Sequence, residues 1–157
     1  MKLSDFIVAD AVIPELSAVD RNGVIRELVD ALAKCVGLSE KDAATVAREA
    51  IQRENKGSTG FGKGVAVPHV KHESIKRIAA TIGRSSAGVD FAALDRAPVY
   101  IVVLLLSPPD NADQHLACME NIFRHLQRDN FRRFLRQAAS KEEIIDLIRE
   151  ADELPAG

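Results

Sequence analysis

The longest uninterrupted apolar run, Val99 to Leu106, does most to limit what this chain can fold into. A strand that alternates apolar and polar residues buries one face, whereas a strand that is apolar throughout must be covered on both. The run is far shorter than the roughly 20 apolar residues a helix needs to span a bilayer. Pro108 and Pro109 end it. The prediction is therefore a sheet with helices packed on both of its faces, and the flanking sequence supplies those helices.

Residues 20–36 carry Val24, Leu28, Ala31, Leu32 and Cys35 at helical spacing, and Gly37 follows as a stop. Cys35 on that stripe reads as a small core residue. Ser39 opens a second helix, with Asp42 as a weak capping box and Ala43, Val46, Ala47, Ala50 and Ile51 as its apolar face. It ends near Asn55 or Lys56, with Gly57 placed to cap it and Arg53 in its last turn. Residues 64–70 read as a strand with Val65, Val67 and His69 on one face. Pro68 puts that strand at an edge or at its end. A second strand spans about 78–84, and a polar turn follows at 85–88. Beyond the two prolines, Asn111 with Gln114 caps a helix whose apolar face is Leu116, Met119, Ile122, Phe123 and Leu126. A short basic helix follows at 130–138, then a last helix capped by Ser140 and Glu143. Residues 5–16 read as a helical turn and then a peripheral strand. The chain is expected to be α/β, a small central mixed β-sheet flanked by helices on both faces, with residues 1–157 in a single compact domain. A 46% hydrophobic content is enough for one such core, and 28% charged residues is an ordinary globular share.

Charge and aromatic content narrow the function. A net charge of −2 gives no general attraction to nucleic acid or anionic lipid, and the absence of tryptophan weakens any base-stacking reading. Cys35 and Cys118 make no disulfide framework. The acid-bearing first residues lack the apolar stretch of a signal peptide, so a soluble cytoplasmic setting without membrane insertion is expected.

The stretch with the most chemistry is 53–72. Four glycines, Gly57, Gly60, Gly62 and Gly64, suit a backbone that turns sharply and offers N–H groups to an anion. Residues 57–64 nearly match a phosphate-binding P-loop, but Gly64 stands where a hydroxyl should hold magnesium. The order is also helix–loop–strand, so no following helix N-terminus meets the phosphates. Nucleotide binding is rejected, and what survives is a loop able to cradle one phosphoryl group.

His69 and His72 have H-x-x-H spacing, but no further donor completes a zinc set. His72 reads as an exposed loop residue and His125 as surface. His115, early in its helix, is open to two readings: a half-buried packing residue, or a second active-site imidazole. It follows the buried strand, and ligands in open α/β sheets gather at strand carboxyl ends, so one cleft could hold His69 and His115 together. Cys118, on the same helical face as His115, reads as a buried small hydrophobe. Phe61, Val70, Leu116 and Met119 are candidates for an apolar docking rim, with core as the equal alternative.

Gly57-Ser58-Thr59-Gly60, the glycines through Gly64, and Val65-Ala66-Val67-Pro68-His69 closely resemble the active-site segment of the fructose/mannitol-class enzyme IIA proteins of the bacterial phosphoenolpyruvate:sugar phosphotransferase system (PTS), a class that includes nitrogen-regulatory IIA proteins. The likeness continues through Gly88-Val89-Asp90-Phe91, Leu94-Asp95 with Pro98-Val99, Ser107-Pro108, and His115-Leu116. It implies that His69 accepts a phosphoryl group from the phosphocarrier HPr and passes it to a cysteine of a IIB domain. It implies further that His115 and Arg53 share the site, that Nε2 of His69 attacks, and that a backbone carbonyl holds Nδ1–H. Ser58 and Thr59 are candidate phosphoryl-binding hydroxyls. No cofactor or metal is implied, since donor and acceptor are both protein side chains. Val70 and Lys63 depart from residues common in the class. Two outputs remain open, transport and regulation of a non-transport target. The lack of a IIB or IIC segment within these residues tilts the expectation slightly to regulation.

Overall fold

The computed structural model describes residues 1–154. In chain order, α1 (Leu3–Phe6) and a 3-10 turn (Ala9–Ala11) precede α2 (Arg21–Val36) and α3 (Glu40–Lys56). Three short strands follow, β1 (Gly60–Gly62), β2 (Val65–Ala66) and β3 (His69–Lys71), and then two long ones, β4 (Ala79–Val89) and β5 (Val99–Ser107). Helices α4 (Ala112–Leu126), α5 (Asp129–Gln137) and α6 (Lys141–Asp152) complete the chain.

The apolar run is the central strand of a mixed sheet. Every residue of β5 except Tyr100 is buried. On one edge it pairs antiparallel with β4, from Ala79↔Leu106 to Val89↔Val99. On the other it pairs parallel with β2 and then β3, Val65 facing Ile101 and His69 facing Leu105. Because that offset is unchanged, β2 and β3 are one line of chain broken at Val67–Pro68. The single strand expected over 64–70 is thus two segments, for Pro68 brings no N–H to the ladder. Its carbonyl still accepts from the Leu105 N–H at 3.0 Å.

Period-two alternation assigns the two faces. Val102, Leu104, Leu106, Ala66 and Val70 pack with α2 and α3. Ile101, Val103, Leu105, Val65 and Val67 pack with α1, α4 and α6. Helices therefore cover both faces, as the apolar run required. Each fully buried Leu, Ile or Val contributes about 1.5–3 kcal/mol by leaving water.

Several local readings need correction. Cys35 is exposed, because residues 34–37 at the end of α2 are all exposed and the buried stripe is Val24, Ile25, Leu28, Val29 and Leu32. The segment before α2 makes only isolated parallel bridges to β4, Ile7↔Ala80 and Ile13↔Gly83, with the 3-10 turn between them. The polar stretch 85–88 is an irregularity within β4, which continues to Val89. Gly57 does cap α3 as expected, its N–H bonding the Glu54 carbonyl, but through an extended φ of 170° in place of a left-handed one. The glycine loop is largely a hairpin. Lys63 (φ 61°) and Gly64 (φ 79°) form its two-residue turn, and both positive angles suit the right-handed twist of β1 and β2.

Candidate functional site

The parity that sorts the core also builds the site. His69 continues the face of Val65 and Val67, so it projects toward α4 rather than toward α3. Lys71 and Ser107, paired in register at the carboxyl ends of β3 and β5, share that face. Helix α4 begins just beyond, its N-cap Asn111 accepting from the Gln114 N–H, and its first turn brings in His115. The two imidazole rings lie with centres 5.6 Å apart and planes inclined by 56°. Strand ends and a helix start, distant in sequence, thereby bring His69 and His115 together.

Each ring is oriented by a different partner. His69 Nδ1 lies 2.9 Å from the Val67 carbonyl oxygen. A carbonyl can only accept, so Nδ1 carries the proton and Nε2 has the free lone pair. His115 Nδ1 lies 2.6 Å from Ser107 Oγ, and both residues are buried. Burial first, then the charges of Lys71 and His69, pushes the His115 pKa down to about 4. That ring is neutral near pH 7 and has one N–H to give. His69 is half-buried.

Arg53 is exposed at the end of α3 and donates from Nη1 to the Gly57 carbonyl at 2.6 Å, closing over the start of the loop. The hydroxyls of Ser58 and Thr59 are both committed within the protein. Ser58 Oγ donates to the Phe91 carbonyl at 2.5 Å and accepts from the Gly60 N–H at 2.9 Å. Thr59 donates its hydroxyl to Glu54, whose other carboxyl oxygen accepts the Thr59 N–H at 3.0 Å. The loop amides are used likewise, with the Lys63 N–H on Asp95 Oδ2 at 3.0 Å. The Thr59, Gly60 and Lys63 N–H groups are thus engaged within the loop and its neighbours.

The remaining histidines correct the sequence reading. His72 is half-buried: its Nδ1 accepts from the Ser74 N–H at 3.0 Å and from the Ser74 hydroxyl at 2.7 Å, fixing the turn out of β3. His125 is only 3% exposed, with its ring 5.9 Å from that of Phe131 and no hydrogen-bond partner for Nδ1 among the described residues. The inward stripe of α4 is His115, Cys118, Ile122 and His125, while Leu116 is 58% exposed. Spacings of three, four and three from Cys118 and Ile122 are the signal that would have found it. Cys118 is fully buried as expected, and burial raises its thiol pKa. Phe61 and Met119 are partly buried against the core, the former packed edge-on to Phe123 with centres 4.9 Å apart. Val70 is buried on the α2–α3 side, away from the His69 face. Ser107, Lys71 and Glu54 entered no sequence-level site, since only the register and the helix packing give them neighbours. Among the described residues no cluster of three or more His, Cys, Asp or Glu could hold a metal ion, and no helix is long and apolar enough to cross a membrane.

Comparison with known proteins matches residues 5–151 to the family described as phosphoenolpyruvate-dependent sugar phosphotransferase system, EIIA 2. The chain is 32% identical over 153 residues to the PTS system fructose-specific EIIABC component of Bacillus subtilis, covering 97% of this chain and 24% of that protein. It thus spans about a quarter of that relative's length. It is 34% identical over 128 residues to a nitrogen regulatory protein of Pseudomonas aeruginosa, covering 80% of this chain and 83% of the relative. The crystal structure of nitrogen regulatory protein IIA-Ntr from Neisseria meningitidis superposes with a TM-score of 0.82 at 25% identity, covering 93% of this chain and 98% of that one.

Proposed function

Because this chain belongs to the EIIA 2 family of the phosphoenolpyruvate-dependent sugar phosphotransferase system, we propose that it is a phosphocarrier, residues 1–157 forming one EIIA type-2 domain, whose acceptor is His69. The observation that carries this reading is the hydrogen bond from His69 Nδ1 to the Val67 carbonyl, which leaves Nε2 as the nucleophile. Nε2 attacks phosphorus of a phosphohistidine on an HPr-like donor. The new N–P bond forms as the donor's N–P bond breaks, and the electron pair of the broken bond leaves with the donor imidazole. In the second half, a cysteine thiolate of a IIB domain attacks phosphorus, and the electron pair returns to His69 Nε2.

Transfer of this kind passes through a loose, metaphosphate-like state with charge spread on the equatorial oxygens, so positioning and charge stabilisation are the protein's main tasks. His115 supplies an N–H beside the carried group, Lys71 adds positive charge on the same face, and Arg53 does so once it swings from the Gly57 carbonyl. Ser58 and Thr59 serve by holding the loop that walls the site. The similarity to a IIABC protein supports a IIB acceptor. The similarity to nitrogen regulatory proteins supports a second output, in which the state of His69 sets binding to a non-transport target.

The test is labelling with radioactive phosphoenolpyruvate, enzyme I and HPr. Wild-type protein takes up one phosphoryl group and His69→Ala takes up none; a labelled His69→Ala protein refutes the assignment. Passing the labelled protein to candidate IIB domains separates the outputs, since label moves to a IIB cysteine in transport and stays on His69 in regulation.

A further inference from the structure

A neutral imidazole has a single N–H, and the tautomer decides which nitrogen carries it. His115 Nδ1 faces a hydroxyl, which unlike a carbonyl can either donate or accept. Two arrangements satisfy the 2.6 Å contact. If Nδ1–H donated to Ser107 Oγ, the Ser107 hydroxyl proton would need another acceptor. Ser107 is 0% exposed, and among the described residues its side chain has no second hydrogen-bond partner. A buried proton would be stranded, at a penalty that a buried donor without a partner normally carries. If the hydroxyl instead donates to Nδ1, every buried proton is matched and the imidazole proton resides on Nε2.

We propose that Ser107 is a positioning residue that holds His115 in its Nε2–H tautomer, so that the one free N–H of that ring is available to the phosphoryl group on His69. The proposal rests on His69 being the acceptor. The 5.6 Å separation of the rings puts His115 Nε2–H in the neighbourhood of that group, and Ser107 acts only through His115. The two active-site rings then carry complementary tautomers, set by different backbone positions: His69 Nδ1–H on the Val67 carbonyl frees a lone pair for attack, and His115 Nε2–H frees a donor for the charge that attack produces. One residue fixes the donor, because β5 ends on a hydroxyl in register with Lys71.

The tautomer can be read without any phosphoryl transfer. Two-bond proton–nitrogen correlation spectra of the 15N-labelled full chain at pH 7.5 are expected to show His115 protonated on Nε2. S107A is expected to lose the preference and show mixed or inverted tautomers, while S107T, which keeps the hydroxyl, keeps it. Backbone amide spectra of the same samples establish that S107A is folded. In labelling from phospho-HPr, S107A is expected to slow transfer roughly five- to tenfold, the change that losing one net hydrogen bond supports. It should have no further effect when His115 is already alanine. A wild-type His115 protonated on Nδ1, or an unchanged tautomer in S107A, overturns the proposal. So does S107A slowing transfer as much with His115→Ala as without it. If His69 proved not to be the acceptor, the spectra would still decide the tautomer, so the two failures are distinguishable.

Discussion

Replacing Glu54 tests whether the wall of the site is held as described. Glu54 is 2% exposed in the last turns of α3 and receives two donors from one residue, the N–H and the hydroxyl of Thr59. Thr59 in turn accepts the Val67 N–H on its carbonyl at 3.4 Å, two residues before His69. Glu54→Ala strands both donors of a residue that is itself 9% exposed. A buried donor left unpaired costs about 1–3 kcal/mol, so the sum is about 2–6 kcal/mol before relief. Water entering the vacated volume and release of a buried polar group both lessen it, giving an expected loss of about 3 kcal/mol. Glu54→Gln keeps an acceptor for the N–H and should lose only about 1 kcal/mol. For a chain of this length about 3 kcal/mol lowers Tm by about 6–12 °C. Urea unfolding followed by circular dichroism measures it, with Thr59→Val as the second arm of a double-mutant cycle. Because both mutations break the same hydroxyl contact, their losses should fall short of additive by about 1 kcal/mol or more. Glu54→Ala within 0.5 kcal/mol of wild type, or strict additivity with Thr59→Val, refutes the reasoning.

His115→Ala is expected to keep the phosphorylation site but slow transfer from phospho-HPr about a hundred- to a thousandfold, the usual effect of deleting one preorganised donor; rapid-quench labelling measures this, and an unchanged rate removes His115 from the site. His125 gives an acid-sensitive fold. Its folded pKa lies below the ordinary 6.5, through burial first and then Arg124 and Arg128, so the unfolded chain binds the proton first as pH falls. The stability from keeping it neutral is full above about pH 6.5 and is lost as pH drops below that toward the folded value. In His125→Leu the difference between urea midpoints at pH 7.5 and pH 5 should shrink, and an unchanged difference counts against the argument. Gly83→Ala should destabilise by about 1–3 kcal/mol through overpacking, since a Cβ there would lie 2.8 Å from Leu16 Cδ2 and 2.9 Å from Leu28 Cδ2; a thermal melt no lower than wild type shows that α2 can retreat from β4.

Much of this protein was legible in the chain because the signals are local. The run 99–106 required a covered sheet, and Asp20, Ser39, Asn111 and Ser140 each mark a helix start by a side chain that caps a nearby N–H. The ordered residues around Val65–His69 pointed to the family before any fold was known. Where the sequence reading failed, the deciding quantity was a distance between elements. His125 is buried where a surface position was expected, and of the two readings open for Leu116 the exposed one holds, because nothing in α4 alone says how it is rotated against the sheet. The glycines between 57 and 64 read as an anion loop, and only the fold shows a partner strand and Asp95 engaging N–H groups there.

The sequence by itself determined the strand and helix alphabet, the covered sheet and the family, since these follow from periodicity, caps and contiguous motifs. The family resemblance already implied a backbone carbonyl on His69 Nδ1–H, and the tertiary structure alone decided that His115 Nδ1 is held by Ser107. That outcome depends on the parallel register of β3 and β5 and on α4 starting just past Ser107. It sets residues 69, 107 and 115 side by side, through pairings no local stretch of chain encodes.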